Sequence, residues 1–171
     1  LFNTILKIID FFYQRKIINF FKNTYDLKYD VIIDIGAHKG ETISNFLKNF
    51  KILNIYSFEA SSETYKDLES NVNKIRKKYT NTNIEIFNTG IGNSKDQKIF
   101  NELPDSNSST FNIIDENSSY FKRKNKILSF FFKKKFSIKK NFVSQIKLSE
   151  FIEEKKLKNI DILKIDTEGY E

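Results

Sequence analysis

The sequence predicts an α/β fold, a parallel sheet covered by helices, and three observations point to it. From Tyr29 onward, short runs rich in Ile, Val and Phe alternate with stretches whose apolar residues recur at helical spacing. The first run, "YDVIIDIG", ends in a glycine directly before a helical stretch, as a buried strand of a βα unit does. The last run, Ile160 to Ile165, is again apolar and is followed at once by acids. A chain of 171 residues fits one domain and buries a core without disulfide or metal staples.

In chain order, residues 1–22 place Leu1, Ile5, Ile8, Ile9, Phe12, Ile17, Phe20 and Phe21 at helical spacing. Lys7, Asp10, Arg15 and Lys16 interrupt the segment before it reaches the ~20 uncharged residues of a membrane span. No small-residue cleavage site follows the apolar part, so it does not read as a signal peptide. Residues 1–28 are therefore expected as an amphipathic helix, packed on the domain or lying on a membrane surface. Position 1 is not Met, so Leu1 is not expected to be the translated start.

"YDVIIDIG" is the first strand, and "ETISNFLKNF" a helix with Glu41 in its first turn, where the macrodipole favours an anion. "NIYSFEA" is the second strand. "SSETYKDLESNVNKIRKKY" is a long helix opened by Ser61 or Ser62 as N-cap. "NIEIFNTGIG" gives a third strand and a turn. "DQKIFNEL" has strand character, "PDSNSSTFN" has loop chemistry, and the lysine-rich stretch after it has no clean period. "NFVSQIKLSEFIEEKKLKNIDILKIDTEGYE" restores order as strand, short helix and final strand.

Composition excludes several functions. With no Cys, disulfides and thiolate chemistry are excluded, and a zinc site would have to manage with one His and carboxylates, so structural zinc is not expected. The net charge is +7, and Phe121 to Lys140 alone holds nine Lys or Arg and no acid. The remainder is slightly acidic, so the basic character belongs to one segment, expected as an insertion at about 121–140. Such a segment suits an anionic substrate, acidic lipid headgroups or nucleic acid. Nucleic acid ranks last, because no recognised RNA-binding motif surrounds it.

In a doubly wound sheet, ligands bind beyond the carboxyl ends of the strands, where a glycine turn lets the backbone approach. The turn here is "DIGAHKGE", with Gly36 and Gly40 as its permissive positions. Glu59 ends the next strand 23 residues after Gly36, near the ~20 expected for an acid on ribose hydroxyls. There is neither a GxGxxG nor a P-loop, so the turn suits a nucleoside without pyrophosphate, and an NAD-linked oxidoreductase is the weaker reading. S-adenosylmethionine is such a ligand, with Asp34 at the strand end, Gly36 beside the methionine part and Glu59 on the ribose. Alternatively, Asp34 caps turn N–H groups and Glu59 is a helix N-terminal acid.

With "VIIDIGAHKGE", "YSFEA", "NTGIGN", the "SNSST" loop and "DILKIDTEGYE", the chain from about Tyr29 to its last residue resembles the FkbM-type S-adenosylmethionine-dependent methyltransferases. The resemblance implies a class I methyltransferase (Rossmann-like) parallel sheet with helices on both faces, and O-methylation of a hydroxyl on a sugar, glycan or other small molecule. It matches Asp34, Gly36, His38, Gly40 and Glu41 to the cofactor turn and Glu59 and Ala60 to the ribose-binding strand end. It places Asn88 and Gly90, in "NTGIG", near the adenine. His38 departs from the pattern, which usually has an amide there. The last strand would lie mid-sheet in that fold, so 29–171 is expected to be a partial domain truncated at its C-terminus.

Asp166 and Glu168 follow that strand and, by alternation, point the same way, while Gly169 frees the backbone to turn. Asp166 is the first candidate for a base or orienter of the acceptor hydroxyl, and Glu168 the second. Asp166, Glu168 and Glu171 also offer oxygen ligands to a divalent metal, which the sequence does not require. In the rival reading, the chain is a non-catalytic nucleoside-binding module that docks on a membrane or polyanion through the basic segment. A cytoplasmic protein, peripheral to the membrane at most, fits either reading.

Overall fold

The computed structural model describes residues 15–25, 27–103, 109–112, 114–119, 121–123, 125–126, 138–167 and 170. Helix α1 covers 15–24 of these. The elements that follow are β1 (Lys28–Ile35), α2 (Glu41–Asn49), β2 (Lys51–Phe58), α3 (Ser62–Lys78) and β3 (Asn83–Phe87). Next come β4 (Gly90–Gly92), β5 (Asp96–Glu102), β6 (Lys139–Lys147), α4 (Leu148–Glu154) and β7 (Ile162–Ile165). No helix among the described residues is long and apolar enough to cross a membrane. Residues 1–14 and most of the basic segment lie outside the described residues.

Four strands form a parallel sheet in the order β3-β2-β1-β7. Both faces of β1 are buried, which explains its unbroken apolar run. Because side chains alternate, Ile32 and Ile33 enter different cores. On one face, Ile32, Ile55 and Ile84 pack with Ile43 and Phe46 of α2, Leu68 and Val72 of α3, and Ile18 of α1. Phe21 fixes α1 to this layer, its ring 5.9 Å from that of Phe46 and 6.4 Å from that of Phe50. On the other face, Val31, Ile33, Ile35, Tyr56 and Phe58 pack against Phe151 of α4. Helices thus cover both faces, as a Rossmann-like sheet requires.

Elsewhere the structure departs from the sequence reading. The glycines of "NTGIG" do not end in a turn; Gly90–Gly92 pairs in parallel with β6. Strand β5 pairs antiparallel with β6, giving a second sheet of order β4-β6-β5. Simple alternation of strand and helix could not reveal this sheet, because its antiparallel neighbours β5 and β6 need no crossover helix between them. Final strand β7 starts at Ile162 rather than Ile160. Asp161 instead uses its carboxylate to accept the Asp30 and Val31 N–H groups at 2.6 and 2.9 Å.

Candidate active site

Backbone hydrogen bonds stitch the carboxyl ends of the four parallel strands into one rim. Asp166 N–H donates to Ile35 O at 3.0 Å, Gly36 and Ala37 N–H both donate to Phe58 O at 2.9 Å, and Glu59 N–H donates to Phe87 O at 3.0 Å. Asp166, the glycine turn, Glu59 and Asn88 therefore follow one another along the same edge. Gly36 and Gly40 take left-handed φ values of 80° and 87°, and His38, between them, has φ 48°. Gly40 is the N-cap of α2.

Glu59 closes this turn onto the next strand. One carboxylate oxygen accepts His38 N–H and the other Ser61 N–H, each at 2.9 Å. Burial raises its pKa, against the lowering effect of those two hydrogen bonds. Asn88 sits beside it, donating to Glu59 O at 2.9 Å and Ala60 O at 3.3 Å and accepting from Ser62 Oγ. Glu41 accepts Lys39 N–H at 3.1 Å and lies 3.4 Å from His38 Nδ1. Burial would raise the Glu41 pKa, but His38 and the backbone donors outweigh it and lower the value. Gly90 is packed under the Phe111 ring, which a Cβ there would meet at 2.6 Å.

Asp34 lies one residue below the rim with no exposed surface. Its Oδ1 accepts from Lys164 Nζ at 3.0 Å, while its Oδ2 has no hydrogen-bond partner. Ser57, its register partner on β2, is also fully buried with an unpartnered Oγ. Lys164, its register partner on β7, also donates to Gly36 O at 3.1 Å and approaches Asp166 Oδ2 at 3.6 Å. Ser57, Asp34 and Lys164 thus form a polar row across three strands directly beneath the turn. Burial raises the Asp34 pKa, opposed by the Lys164 ammonium. By contrast, the Asp166 side chain is 64% exposed.

Several contributors escaped the sequence reading. Glu102 of β5 is buried, accepting Ser61 Oγ at 2.7 Å and Asn141 Nδ2 at 2.8 Å, and so joins the second sheet to the N-cap of α3. Tyr170 accepts from Lys98 Nζ at 2.8 Å and donates to Gln145 Oε1 at 3.1 Å, tying the chain beyond β7 to the same sheet. A lysine interrupting "ILKI" was the available signal for Lys164; Glu102 offered none. Glu168, Gly169 and Glu171 lie outside the described residues. Among the described residues, no three His, Cys, Asp or Glu side chains gather in a group that could hold a metal ion.

A parallel sheet with a glycine turn and an acid on its carboxyl rim is consistent with a Rossmann-like methyltransferase fold. The methyltransferase FkbM domain model matches residues 34–171, from Asp34 through the final strand. The chain belongs to that family. No curated protein and no solved structure matches it.

Proposed function

We propose that this methyltransferase uses S-adenosylmethionine, bound along the carboxyl rim of β1, β2 and β3, to methylate a hydroxyl of a sugar, glycan or other small molecule. The observation behind this reading is the stitched rim, which sets the glycine turn, Glu59 and Asp166 on one edge. The acids present fit such a cofactor. Two N–H groups occupy half of the roughly four acceptor positions of the Glu59 carboxylate, leaving the others for ribose hydroxyls. Asp34, with no exposed surface and paired with Lys164, supports the turn from beneath.

When bound, the cofactor supplies an activated methyl group on sulfur. The chain's own contribution is mainly alignment and exclusion of water. The turn holds its shape because Glu59 grips His38 N–H and Lys164 grips Gly36 O. Asp166, exposed at the neighbouring strand end, takes the proton of the acceptor hydroxyl or orients it. Calorimetric titration with S-adenosylmethionine and S-adenosylhomocysteine tests this, with Glu59→Ala as the comparison. No heat with either ligand ends the reading. A gain of one methyl on sugars or cell metabolites, read by mass, identifies the acceptor.

A second reading rests on α1, whose outer flank exposes Ile17 (44%) and Phe20 (57%). These would let the helix rest on a membrane surface. Sedimentation with lipid vesicles, unchanged by Phe20→Ser, would dismiss it.

A further inference from the structure

The three helices on one face of the sheet line an open cleft of about 810 Å³, most of whose lining the methyl-transfer reading does not use. Each helix lends it one stripe at helical spacing: Arg15, Ile18, Asn19 and Lys22 from α1, Glu41, Ser44, Asn45, Lys48 and Asn49 from α2, and Asn71, Lys74 and Ile75 from α3. Its cations are Arg15, Lys22, Lys39, Lys48 and Lys74, against one lining carboxylate, Glu41. Lys39 is engaged by Asp67 at 2.9 Å, and Glu41 by His38 and the Lys39 N–H. Arg15, Lys22, Lys48 and Lys74 have no ion-pair partner among the described residues. The whole chain carries 29 basic and 22 acidic residues, so composition alone does not explain so one-sided a lining.

Between the cations stand neutral hydrogen-bonding groups: Asn19, Ser44, Asn45, Asn49 and Asn71. The apolar lining is Ile18 and Ile75, with no aromatic ring. A cleft lined by one sign of charge concentrates anions. Ammonium and guanidinium groups bind phosphate, while side-chain amides donate to and accept from hydroxyls. Without a ring, the cleft offers no aromatic platform for a nucleobase. The volume lies within the ~300–1,000 Å³ usual for small-molecule sites.

We infer that this cleft is a binding site for a phosphorylated sugar, its phosphate held by Lys22, Lys48, Lys74 and Arg15 and its hydroxyls by the asparagines. The cleft borders the glycine turn, sharing Lys39, Gly40 and Glu41 with it, but the four cations and the asparagines proposed to hold this ligand lie on the helices away from the rim. The experiment is calorimetric titration of the full chain with glucose 1-phosphate, glucose, inorganic phosphate and an eight-nucleotide oligothymidylate. Glucose 1-phosphate should bind more tightly than glucose or phosphate alone, and its affinity should fall as salt rises. In Lys48→Gln/Lys74→Gln, both positions exposed, binding should weaken at least tenfold, whereas Lys158→Gln, outside the cleft, should leave it unchanged. Circular dichroism shows that the variants are folded. Glu59→Ala should retain this binding while losing that of S-adenosylmethionine. No binding of glucose 1-phosphate at millimolar concentration, indifference to the double substitution, or tighter binding of the oligonucleotide overturns the inference.

Discussion

Gly36→Ala is the substitution whose effect the geometry defines best. At φ 80° a residue with a Cβ costs about 1–2 kcal/mol from backbone sterics alone. The added carbon would also lie inside contact distance of the Asp166 carbonyl oxygen and 2.9 Å from its carbon, both backbone atoms of the chain leaving β7. Relief requires the turn and Asp166 to separate. That breaks Asp166 N–H to Ile35 O and the hold of Lys164 on Gly36 O, each worth about 0.5–1.5 kcal/mol. The total is about 2–5 kcal/mol, a large share of the ~5–15 kcal/mol that stabilises a typical domain. Gly40→Ala is the internal control. Its φ is 87°, but the nearest atom is the flexible Leu68 Cδ1 at 3.1 Å, so the cost is the conformational ~1–2 kcal/mol alone. Urea unfolding followed by circular dichroism compares the two, and the extra ~1–3 kcal/mol divided by an m of ~1–3 kcal/mol/M should place the Gly36→Ala midpoint lower by roughly 0.3–3 M. Equal midpoints would mean that β7 is not packed against the turn.

Other consequences are as concrete. Lys164→Met strands the Asp34 carboxylate in the sheet and should cost about 3–5 kcal/mol near neutral pH, with Asp34→Asn/Lys164→Met recovering part of it in urea titrations. Burial raises the Asp34 pKa, so the folded state holds that proton more tightly than the unfolded chain does. The resulting stabilisation is present below the ordinary aspartate value and lost as pH rises through the folded one. Asp34→Asn should therefore compare more favourably with the native chain at pH 7 than at pH 4. Glu59 is raised in the same way, and its ionised form is the one that would accept the ribose hydroxyls proposed for it. Cofactor affinity should then fall on acidification through a pH above the ordinary glutamate range, as calorimetry at several pH values would show. Asn88→Ala frees the Glu59 and Ala60 carbonyls and should weaken cofactor binding several-fold while lowering the unfolding midpoint little.

Much of the parallel sheet was legible because its signals are local. Buried strands such as "VIIDIG" are continuous β-branched runs, and Ser61 stands at the α3 N-cap, accepting Thr64 N–H as its residue type suggests. The second sheet was not legible. Its strands are joined by non-local pairing such as Asp96 with Gln145, which no periodicity encodes. The rim acids Asp34, Glu59 and Asp166 could be placed at strand ends, but the depth of each could not. Alternation assigns a face, whereas burial depends on what packs above it, and Asp34 proves sealed while Asp166 is open. Lys164 went unread because lysine is abundant in this chain, and only the register with Asp34 gives it a partner.

The distribution of unfavourable features marks the glycine turn as the candidate site without any appeal to relatives. Four described residues take a left-handed φ, and three of them, Gly36, His38 and Gly40, fall within five positions. Two fully buried polar atoms without partners, Asp34 Oδ2 and Ser57 Oγ, sit side by side in the strands just beneath. A turn selected for stability alone would replace His38 with glycine or asparagine and fill the row below with apolar side chains, as the rest of both cores is filled. Strain and unmet hydrogen bonding persist where the surrounding structure over-determines them, and they cluster where a ligand is held. His38 is held in its conformation by its N–H bond to Glu59. The strained turn and the acid proposed for the ribose are thus one mechanical unit. Relieving the strain of the left-handed φ with His38→Gly should raise the unfolding midpoint while cofactor affinity changes less than in Glu59→Ala. A larger loss of affinity in His38→Gly would assign the imidazole itself to the ligand.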